Sequence, residues 1–309
     1  MLKNYLKVAL RNVKRYKAHS FINIVGLATG LACCMLIFLY VNFELSYDRF
    51  HDDHHLVYRV ASDMQYGDRL NEWACSAEPL GPTLRENFPG AGAVARVQEL
   101  GRAVVDREGT LSYESRLIIA DPQIFDVFSI PFLKGVPSGA LDQPGTMVIT
   151  ESLSRKYSLG SEVIGQSLRI NDQDFRITGV IADPPANSHL TYSGLLSFST
   201  FEPNDNMFNW LRMSTYTYIR LSPLTDPGDL GEDINGVVGT IATEASSRAP
   251  GIGIEFVLQP LADIHLGSNR WGEFEAPGSK SYILVFACIG ILILAIAVAN
   301  FMNLSTARA

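Results

Sequence analysis

Two long stretches of the chain contain no charged residue. Residues 21–43 and 281–307 are rich in Leu, Ile, Val, Phe and Ala. As a helix, the 23 residues 21–43 would span about 35 Å, which exceeds the roughly 30 Å hydrocarbon core of a bilayer. The pattern therefore predicts transmembrane helices at residues 20–43 and 281–304. A cleavable signal peptide is the alternative for the first, but its apolar region is too long and no small-residue cleavage site follows it.

A helical periodicity precedes the first uncharged stretch. In residues 1–19, apolar side chains recur every three or four positions, at Leu2, Leu6, Leu10, Val13 and Tyr16. Basic side chains keep the same spacing on another face, at Lys3, Lys7, Arg11 and Lys14. This pattern predicts a cytoplasmic amphipathic helix that lies on the membrane surface, with its cations among anionic headgroups.

Small residues recur within both predicted spans. Gly26 and Gly30 form a small-xxx-small pattern in the first span, and Ala295 and Ala299 form a similar one in the second. Small side chains allow helix backbones to approach closely in a membrane. We therefore interpret these four residues as candidates for helix packing.

The chain between the two spans alternates between strand and helix patterns. Runs rich in β-branched and aromatic residues predict strands at 57–61, 116–120, 147–150, 175–181, 195–198 and 216–221. Helices are predicted at 78–87, 151–157 and about 229–248. Because the two kinds of element interleave without a regular repeat, we predict an α+β domain of two lobes at residues 44–280, flanked by the two membrane helices.

Charge is distributed unevenly along the chain. Residues 1–20 carry six basic side chains and no acid, residues 44–280 carry 32 acidic and 18 basic ones, and the total is −7. Because Lys and Arg beside a span stay in the cytoplasm, we predict a cytoplasmic N-terminus, an extracytoplasmic domain at residues 44–280 and a cytoplasmic segment that starts at residues 305–309. The distribution argues against a simple soluble enzyme, a nucleic-acid-binding protein and a disordered protein.

The sequence lacks the common catalytic signatures. The P-loop, H-E-x-x-H, G-x-S-x-G, S-x-x-K and C-x-x-C patterns are absent. We therefore expect no enzymatic activity and no catalytic, cofactor or metal site in this chain.

Two features leave alternatives open. His51-Asp-Asp-His-His55 carries ligand types that suit zinc or nickel, but consecutive residues rarely converge on one ion and a solvated acidic turn explains the same composition. Cys75 is the only cysteine outside the spans, so it has no partner for an internal disulfide in the predicted domain. It is either a reactive or intermolecular thiol or a small buried side chain, and burial is the more common outcome.

Motifs dispersed over the whole chain carry a family resemblance. They lie at residues 4–15, 20–31, 44–51, 58–60, 84–89, 121–128, 148–153, 178–189 and 300–308. Examples are Glu44-Leu-Ser-Tyr-Asp-Arg-Phe-His51 and Asp121-Pro-Gln-Ile-Phe-Asp-Val-Phe128. Together they resemble the N-terminal half of MacB/FtsX-type ABC transporter permeases, especially the large two-halved kind found in Bacteroidetes.

The resemblance implies a MacB-like periplasmic core domain between two transmembrane helices of a multi-pass protein in the bacterial inner membrane. It also implies partners: a separate ABC ATPase, a second permease copy or half, and a periplasmic adaptor or lipoprotein. The implied function is to relay an ATP-driven conformational change to the periplasmic domain, for efflux or for lipoprotein or peptide export.

Members of this family continue into a cytoplasmic segment and further helices. We therefore expect a chain that stops at Ala309 to be a fragment, a truncated product or one piece of a split permease. A different class of protein shares the same topology, namely a membrane-anchored extracytoplasmic ligand-sensing protein. A cytoplasmic output module would identify that alternative. A membrane-anchored hydrolase is less well supported, because the hydrolase motifs are missing.

Overall fold

The structure is a computed structural model of the chain and describes residues 11, 15, 17–201, 210–245 and 252–306. The chain divides into two compact units. One unit consists of the residues up to Ser46 together with those from Gly278 onward, and the other is Tyr47–Pro277. The first unit contains the two uncharged stretches, and the second contains the predicted α+β domain.

Within the described residues, the chain forms seven α-helices and fourteen strands. The helices are α1 (Lys17–Leu45), α2 (Leu80–Asn87), α3 (Ile124–Val127), α4 (Glu151–Lys156), α5 (Pro227–Ala245), α6 (Leu261–Gly267) and α7 (Lys280–Thr306). The strands are β1 (Val57–Tyr66), β2 (Arg69–Trp73), β3 (Ser76–Ala77), β4 (Ala93–Glu99), β5 (Ala103–Arg107), β6 (Thr110–Glu114), β7 (Leu117–Ala120), β8 (Phe132–Lys134), β9 (Thr146–Thr150), β10 (Ser167–Ile170), β11 (Gln173–Ile181), β12 (Gly194–Ser197), β13 (Met213–Arg220) and β14 (Ile252–Pro260).

Helices α1 and α7 form an antiparallel pair. The ring of Tyr40 meets that of Phe286 with centroids 5.3 Å apart, and the thiol of Cys34 donates to the carbonyl of Gly290 at 3.3 Å. Both helices are long and apolar enough to cross a membrane, with mean hydropathies of 2.4 and 3.0 in their most apolar parts. Most of their large apolar side chains are exposed, as expected for helices whose solvent is lipid.

The strands of the second unit pair into one mixed sheet. Eleven strands follow the order β14-β1-β13-β4-β7-β12-β9-β11-β10-β5-β6, while β2, β3 and β8 pair with β1, β13 and β11. Strands β9 and β11 are parallel to each other, as are β7 and β12, and the other pairs are antiparallel. Strand β13 has a neighbour on each side, which makes it an interior strand of the sheet.

The two faces of the sheet carry different parts of the hydrophobic core. One face bears a single cluster that includes Tyr216, Tyr218 and Phe128. The other face bears two separate clusters, one under α2 and α5 and one under α4. The three clusters lie on one shared sheet within a single compact unit, and the division of the domain into two lobes stays a prediction. The predicted α+β domain flanked by two apolar helices is confirmed.

Candidate functional site

The chain that follows α1 is fixed to the domain at Asp48. Residues 47–56 connect α1 to β1, and we call them the entry segment. Asp48 adopts a left-handed backbone conformation with φ of 58°, which Asp tolerates better than most residues. Its side chain is buried, and its backbone N–H donates to the carbonyl of Asn187 at 2.9 Å. The local backbone therefore brings a carboxylate into the interior.

The Asp48 carboxylate organises a polar network that we call the entry anchor. Its Oδ1 accepts a hydrogen bond from the backbone N–H of His189 at 3.1 Å, and His189 Nδ1 lies 2.9 Å from the same oxygen. His189 Nε2 shares a hydrogen bond of 2.8 Å with the hydroxyl of Tyr218 on β13. All three residues are buried, and among the described residues Asp48 Oδ2 and His189 Nδ1 have no hydrogen-bond partner. The network links the entry segment to β13.

Ring contacts hold the entry segment on both sides of Asp48. The ring of Tyr47 stacks on that of His265 in α6, with centroids 3.4 Å apart. The ring of His51 packs against Phe128, with centroids 5.0 Å apart. Burial lowers the pKa of His51 to about 4, although the nearby charge of Asp48 opposes this shift. His51 is therefore neutral at neutral pH and packs as part of the core.

A cavity of about 290 Å³ opens beside the entry segment. Residues 50–52 of the entry segment form one wall, residues 128–131 form a second and residues 182–185 form a third. Most of its lining is apolar. The entry segment thus contributes to an anchor and also to a concave surface that a small molecule could occupy.

The chain that precedes α7 is fixed to the domain by a buried ion pair. Residues 268–277, which we call the exit segment, contain Glu273. The guanidinium of Arg59 on β1 donates to both carboxylate oxygens of Glu273, from Nη1 at 2.6 Å and from Nη2 at 2.8 Å. Nη2 also donates to Gln259 Oε1 at 2.7 Å and to Ser268 Oγ at 3.2 Å. We call this group the exit anchor.

Both members of the ion pair are shielded from solvent. The side chain of Arg59 is 0% exposed and that of Glu273 is 8% exposed. Burial alone would lower the pKa of Arg59, but the hydrogen bonds and the charge of Glu273 outweigh it and hold the pKa above its usual value. Bidentate Arg–carboxylate pairs have a strict geometry. The pair therefore sets both the position and the orientation of the exit segment.

Further contacts attach the exit segment to the same sheet. The hydroxyl of Tyr216 on β13 donates to the carbonyl of Gly272 at 2.8 Å, and its ring meets that of Phe274 edge-on at 5.3 Å. The backbone N–H of Trp271 donates to the carbonyl of Glu72 at 2.8 Å. Side chains and backbone thus hold the exit segment together.

The two anchors meet on one face of β13. Tyr216 and Tyr218 are two positions apart on this strand, so their side chains point to the same face. Arg59 is the residue of β1 directly opposite Tyr218 and therefore shares that face. Tyr218 binds the entry segment through His189, and Tyr216 binds the exit segment directly. Both connecting segments are thus attached to a single interior strand.

A second buried ion cluster lies on the opposite face of the sheet. Asp121 Oδ1 accepts from Arg96 Nη2 at 2.8 Å, and Asp121 Oδ2 accepts from Arg85 Nη1 at 2.8 Å. Burial would raise the pKa of Asp121, but the two guanidinium groups outweigh it and hold the pKa below its usual value. This cluster joins two of the dispersed sequence motifs, residues 84–89 and 121–128.

The four helix-packing candidates lie in two environments. A Cβ added at Gly30 would lie 3.0 Å from the Cβ of Ala297, and one added at Gly26 would lie 3.5 Å from an atom of α7. Both glycines therefore face α7 closely. Ala295 and Ala299 are exposed on the surface of the helix pair, and Ala297 is the alanine opposite Gly30.

Of the predicted basic face at residues 1–19, only Arg11 lies within the described residues. Arg11 is helical and exposed. Lys3, Lys7 and Lys14 lie outside the described residues, so the amphipathic surface helix at residues 1–19 stays a prediction.

The clustered histidines of the entry segment lie in different environments. His51 is buried, whereas the next two histidines belong to the 3-10 helix His54–Leu56. Asp53 pairs with Arg220, with 2.5 Å between Oδ2 and Nη2. In the part of the chain that the structure describes, no group of three or more His, Cys, Asp or Glu side chains is placed to hold a metal ion.

Cys75 is buried within the domain. Only 6% of the residue is exposed, and burial raises the pKa of its thiol to about 11. A thiolate is the reactive form of cysteine. The structure therefore favours the small buried side chain over the reactive thiol.

The sequence pattern did not single out the residues of the exit anchor. Charged residues are rarely fully buried, and Glu273 lies far from Arg59 along the chain. One signal could have identified Arg59, because Val57, Arg59 and Ala61 share a strand face whose other two members are apolar. An arginine in that row is placed to face the core.

Comparison with known proteins agrees with this architecture. Residues 20–237 match the family described as the MacB-like periplasmic core domain. None of the curated proteins compared with the chain is a match. A solved domain assigned to a permease protein of Porphyromonas gingivalis is 25% identical, with a TM-score of 0.57, and the match covers 67% of this chain and 91% of that one.

Two further solved structures are similar at lower levels. The periplasmic region of MacB from Actinobacillus actinomycetemcomitans is 13% identical with a TM-score of 0.43, over 63% of this chain and 87% of that one. The extracellular domain of the noncanonic ABC-type transporter YknZ from Gram-positive bacteria is 10% identical with a TM-score of 0.39, over 63% and 98%.

The family match and the fold point to the same kind of protein. The matched region includes most of α1 and extends through β13 into α5, so it contains the entry segment and most of the sheet. Two apolar helices flank a domain of a periplasmic family, and the protein is therefore anchored in a membrane. The chain belongs to the MacB/FtsX-type ABC transporter permeases, and its Tyr47–Pro277 unit is a MacB-like periplasmic core domain.

Proposed function

We propose that this chain is the permease subunit, or its N-terminal half, that relays ATP-driven conformational change from a separate ABC ATPase to the periplasmic domain. Permeases of this family work with ABC ATPases in general. The uncharged stretches 21–43 and 281–307 contain no acidic or basic side chain, whereas ion or proton pathways through a membrane usually need such groups. This composition supports a mechanical role for the helices rather than a conducting one.

One observation carries the proposal: the segments that adjoin α1 and α7 are both fixed to β13 by buried polar contacts. The entry segment reaches Tyr218 through His189, and the exit segment binds Arg59 and Tyr216. A displacement of either helix would therefore act on the same strand of the sheet. Flexible tethers would dissipate such a displacement, whereas buried and fully packed contacts transmit it.

The same proposal includes a topology. The basic residues near the N-terminus favour a topology with the N-terminus in the cytoplasm of a bacterial cell, residues 44–280 in the periplasm and residues 305–309 back in the cytoplasm. In this proposed topology, residues 20–43 and 281–304 are the two spans of a multi-pass inner-membrane protein. The basic side chains of residues 1–19 would then meet the inner surface of the lipid bilayer.

Further partners complete the proposed assembly. A second copy of the chain, or a paired permease half, supplies additional membrane helices, and the exposed Ala295 and Ala299 offer a surface of small side chains for them. A periplasmic adaptor or lipoprotein receives the motion of the periplasmic domain. The output is efflux or the export of a lipoprotein or peptide.

The test uses the full-length protein in nanodiscs together with its ATPase. Hydrogen exchange of residues 47–277 is measured with and without a non-hydrolysable ATP analogue. We expect nucleotide to change exchange in the entry and exit segments. We also expect Glu273→Gln to abolish the effect of nucleotide on exchange and to leave the ATPase rate within about twofold of the wild-type rate. Glu108→Gln is the control, because the side chain of Glu108 is 86% exposed. It should change neither the exchange response nor the ATPase rate. Failure to bind an ATPase, or an unchanged periplasmic domain, would refute the proposal.

A ligand-sensing protein is the second candidate, and the cavity beside the entry segment favours it. A sensor needs a ligand site coupled to a connecting segment, and residues 50–52 line such a cavity. The two candidate functions differ in the kind of ligand that changes the conformation of the entry and exit segments. A sensor responds to a ligand in the absence of nucleotide, whereas the proposed permease responds to nucleotide bound by its ATPase.

A further inference from the structure

The cavity beside the entry segment has a buried apolar base. Phe128, Leu190 and Tyr192 line it and are 2%, 3% and 9% exposed. Phe50 also lines it and is 37% exposed, which places this ring nearer the opening. The volume of about 290 Å³ suits a ligand the size of a substituted aromatic ring. The base of the cavity therefore selects for an apolar body.

The opening of the cavity is negatively charged. Asp52 and Asp183 line it and are exposed. Asp183 Oδ2 accepts from Ser152 Oγ at 2.8 Å, and the guanidinium of Arg155 lies 3.9 Å away. Asp52 makes no ion pair with any described residue. Its carboxylate therefore keeps more of its charge available to a ligand.

The described lining of the cavity contains no Lys or Arg. Arg155, which lies outside the lining, partly compensates Asp183. His51 lines the cavity as a neutral imidazole, because burial lowers its pKa to about 4. An anionic ligand would meet repulsion from Asp52 at the opening, whereas a cation would meet attraction and three aromatic rings.

We propose that this cavity binds a small amphipathic cation, an alkyl- or aryl-ammonium compound with its apolar body between Phe128 and Tyr192 and its ammonium group at Asp52 and Asp183. The ring of Phe50 covers the body from the side of the entry segment. Because residues 50–52 belong to that segment, an occupied cavity stabilises the attachment of the entry segment to the domain. The cavity is formed by residues of the domain itself, so its test requires no ATPase.

The test measures binding of three isosteric probes to the full-length protein in zwitterionic nanodiscs, with empty nanodiscs as a blank. The probes are 2-phenylethylammonium, neutral 2-phenylethanol and anionic phenylacetate, and the readout is calorimetry at pH 7.5. We expect the cation to bind about fivefold to tenfold more tightly than the alcohol, since one screened ion pair contributes about 1 kcal/mol. The anion should bind most weakly. Equal affinities, or no binding of any probe, would overturn the proposal.

Variants separate the charge from the apolar body. Asp52→Asn should remove most of the preference for the cation and leave binding of the alcohol unchanged. Phe50→Ala, at a partly exposed position, should lower the affinity for the cation and for the alcohol by a similar factor. Asp172→Asn is the matched control, because its side chain is 98% exposed and it does not line the cavity. If Asp172→Asn lowers the preference as much as Asp52→Asn, the attraction comes from the net charge of the domain and the proposed site is wrong.

Hydrogen exchange gives a second readout that does not depend on affinity. With 2-phenylethylammonium bound, amides of residues 47–56 should exchange at least severalfold more slowly, while those of the β5–β6 hairpin should be unchanged. Uniform slowing across the domain, or no slowing in the entry segment, would contradict the proposed location.

Discussion

The entry and exit anchors hold neighbouring segments on one strand, yet they use different chemistry. The exit anchor is a guanidinium–carboxylate pair in which Glu273 uses both oxygens. The entry anchor is a carboxylate that meets an imidazole 2.9 Å away, and among the described residues neither Asp48 Oδ2 nor His189 Nδ1 has a hydrogen-bond partner. The difference shows that the exit anchor uses the polar atoms of its carboxylate more completely than the entry anchor does.

The surroundings of the two segments also differ. His51 is buried, and the charges of Asp48 and Asp52 oppose the lowering of its pKa by burial. Residues 50–52 line a cavity, whereas the exit segment is held by ion pair, backbone and ring contacts. The two segments are therefore fixed to the same strand by contacts of different kinds.

The largest expected effect is on the exit anchor. Glu273→Gln leaves the guanidinium of Arg59, which is 0% exposed, without its counterion. Breaking one side of a buried ion pair costs about 3–5 kcal/mol, so the free energy of unfolding should fall by about 4 kcal/mol. Chemical denaturation of the purified full-length protein measures this change. Glu108→Gln is the control and should change stability by less than about 0.5 kcal/mol; a loss below about 1 kcal/mol for Glu273→Gln would contradict a buried pair.

The second effect is a pH dependence specific to the entry side. The pKa of His51 is about 4 in the folded protein, whereas that of an ordinary exposed histidine is 6.5. Between pH 4 and pH 6.5, the imidazole of His51 therefore binds fewer protons in the folded state than in the unfolded state. The contribution of neutral His51 is complete above pH 6.5 and is lost as pH falls towards 4, by about 3 kcal/mol in total.

This pH dependence can be isolated with a non-titrating variant. Denaturation curves at pH 7.5, 6 and 5 should show that His51→Gln flattens the decline of stability relative to the wild type. His55, which lies in the same segment and is exposed, provides the control, and His55→Gln should leave the decline intact. Parallel curves for wild type and His51→Gln would show that His51 is not the titrating group.

The third effect compares two aspartates of the entry segment that share a backbone conformation. Asp48 and Asp53 both have positive φ, 58° and 51°, but only Asp48 is buried. Asp48→Ala removes the acceptor of the His189 N–H and should cost about 2 kcal/mol, plus roughly 1 kcal/mol for alanine in a left-handed conformation. Asp53→Ala breaks only a partly exposed pair with Arg220 and should cost mainly the conformational part. Thermal unfolding of both variants measures the difference in stability between them. Equal losses of stability would rule out the entry anchor.

The smallest expected effect comes from removing one tyrosine hydroxyl of β13 at a time, one in each anchor. Tyr218→Phe removes one hydrogen bond to His189, and Tyr216→Phe removes one to the carbonyl of Gly272. Each should cost about 1 kcal/mol. Hydrogen exchange should accelerate in residues 47–56 for Tyr218→Phe and in residues 268–277 for Tyr216→Phe. If both variants affect both segments equally, the assignment of Tyr218 to the entry segment and of Tyr216 to the exit segment is wrong.

Much of the fold followed from local pattern. The six predicted strands match β1, β7, β9, β11, β12 and β13, because buried strands are continuous runs of β-branched and aromatic residues. Three predicted helices match α2, α4 and α5 in the described residues. The other eight strands were not predicted. Three of them, β5, β6 and β10, lie at one end of the sheet and interrupt their apolar residues with charged or polar ones, although β5 and β10 bury side chains in a core cluster.

The anchors could not be predicted to the same extent. Asp48 and His189 lie in the motifs that carry the family resemblance, but their contact joins residues 141 positions apart. The contact between Arg59 and Glu273 spans 214 positions. Contacts of this range depend on strand order, which periodicity does not determine. The dispersed motifs nevertheless supply Asp48, Arg59, Asp121 and His189, so the resemblance pointed to the buried polar residues without assigning them partners.

The central claim is that the entry and exit segments move as one body with β13. The most direct test is a distance between spin labels at Arg49 and Asn269, which are exposed in the entry and exit segments. The labels are introduced as unnatural amino acids in the full-length protein, reconstituted with its ATPase. We predict one narrow distance distribution that is the same with and without an ATP analogue, and that broadens in Glu273→Gln. A distribution that is broad in the wild type, or that shifts with nucleotide, would contradict the claim.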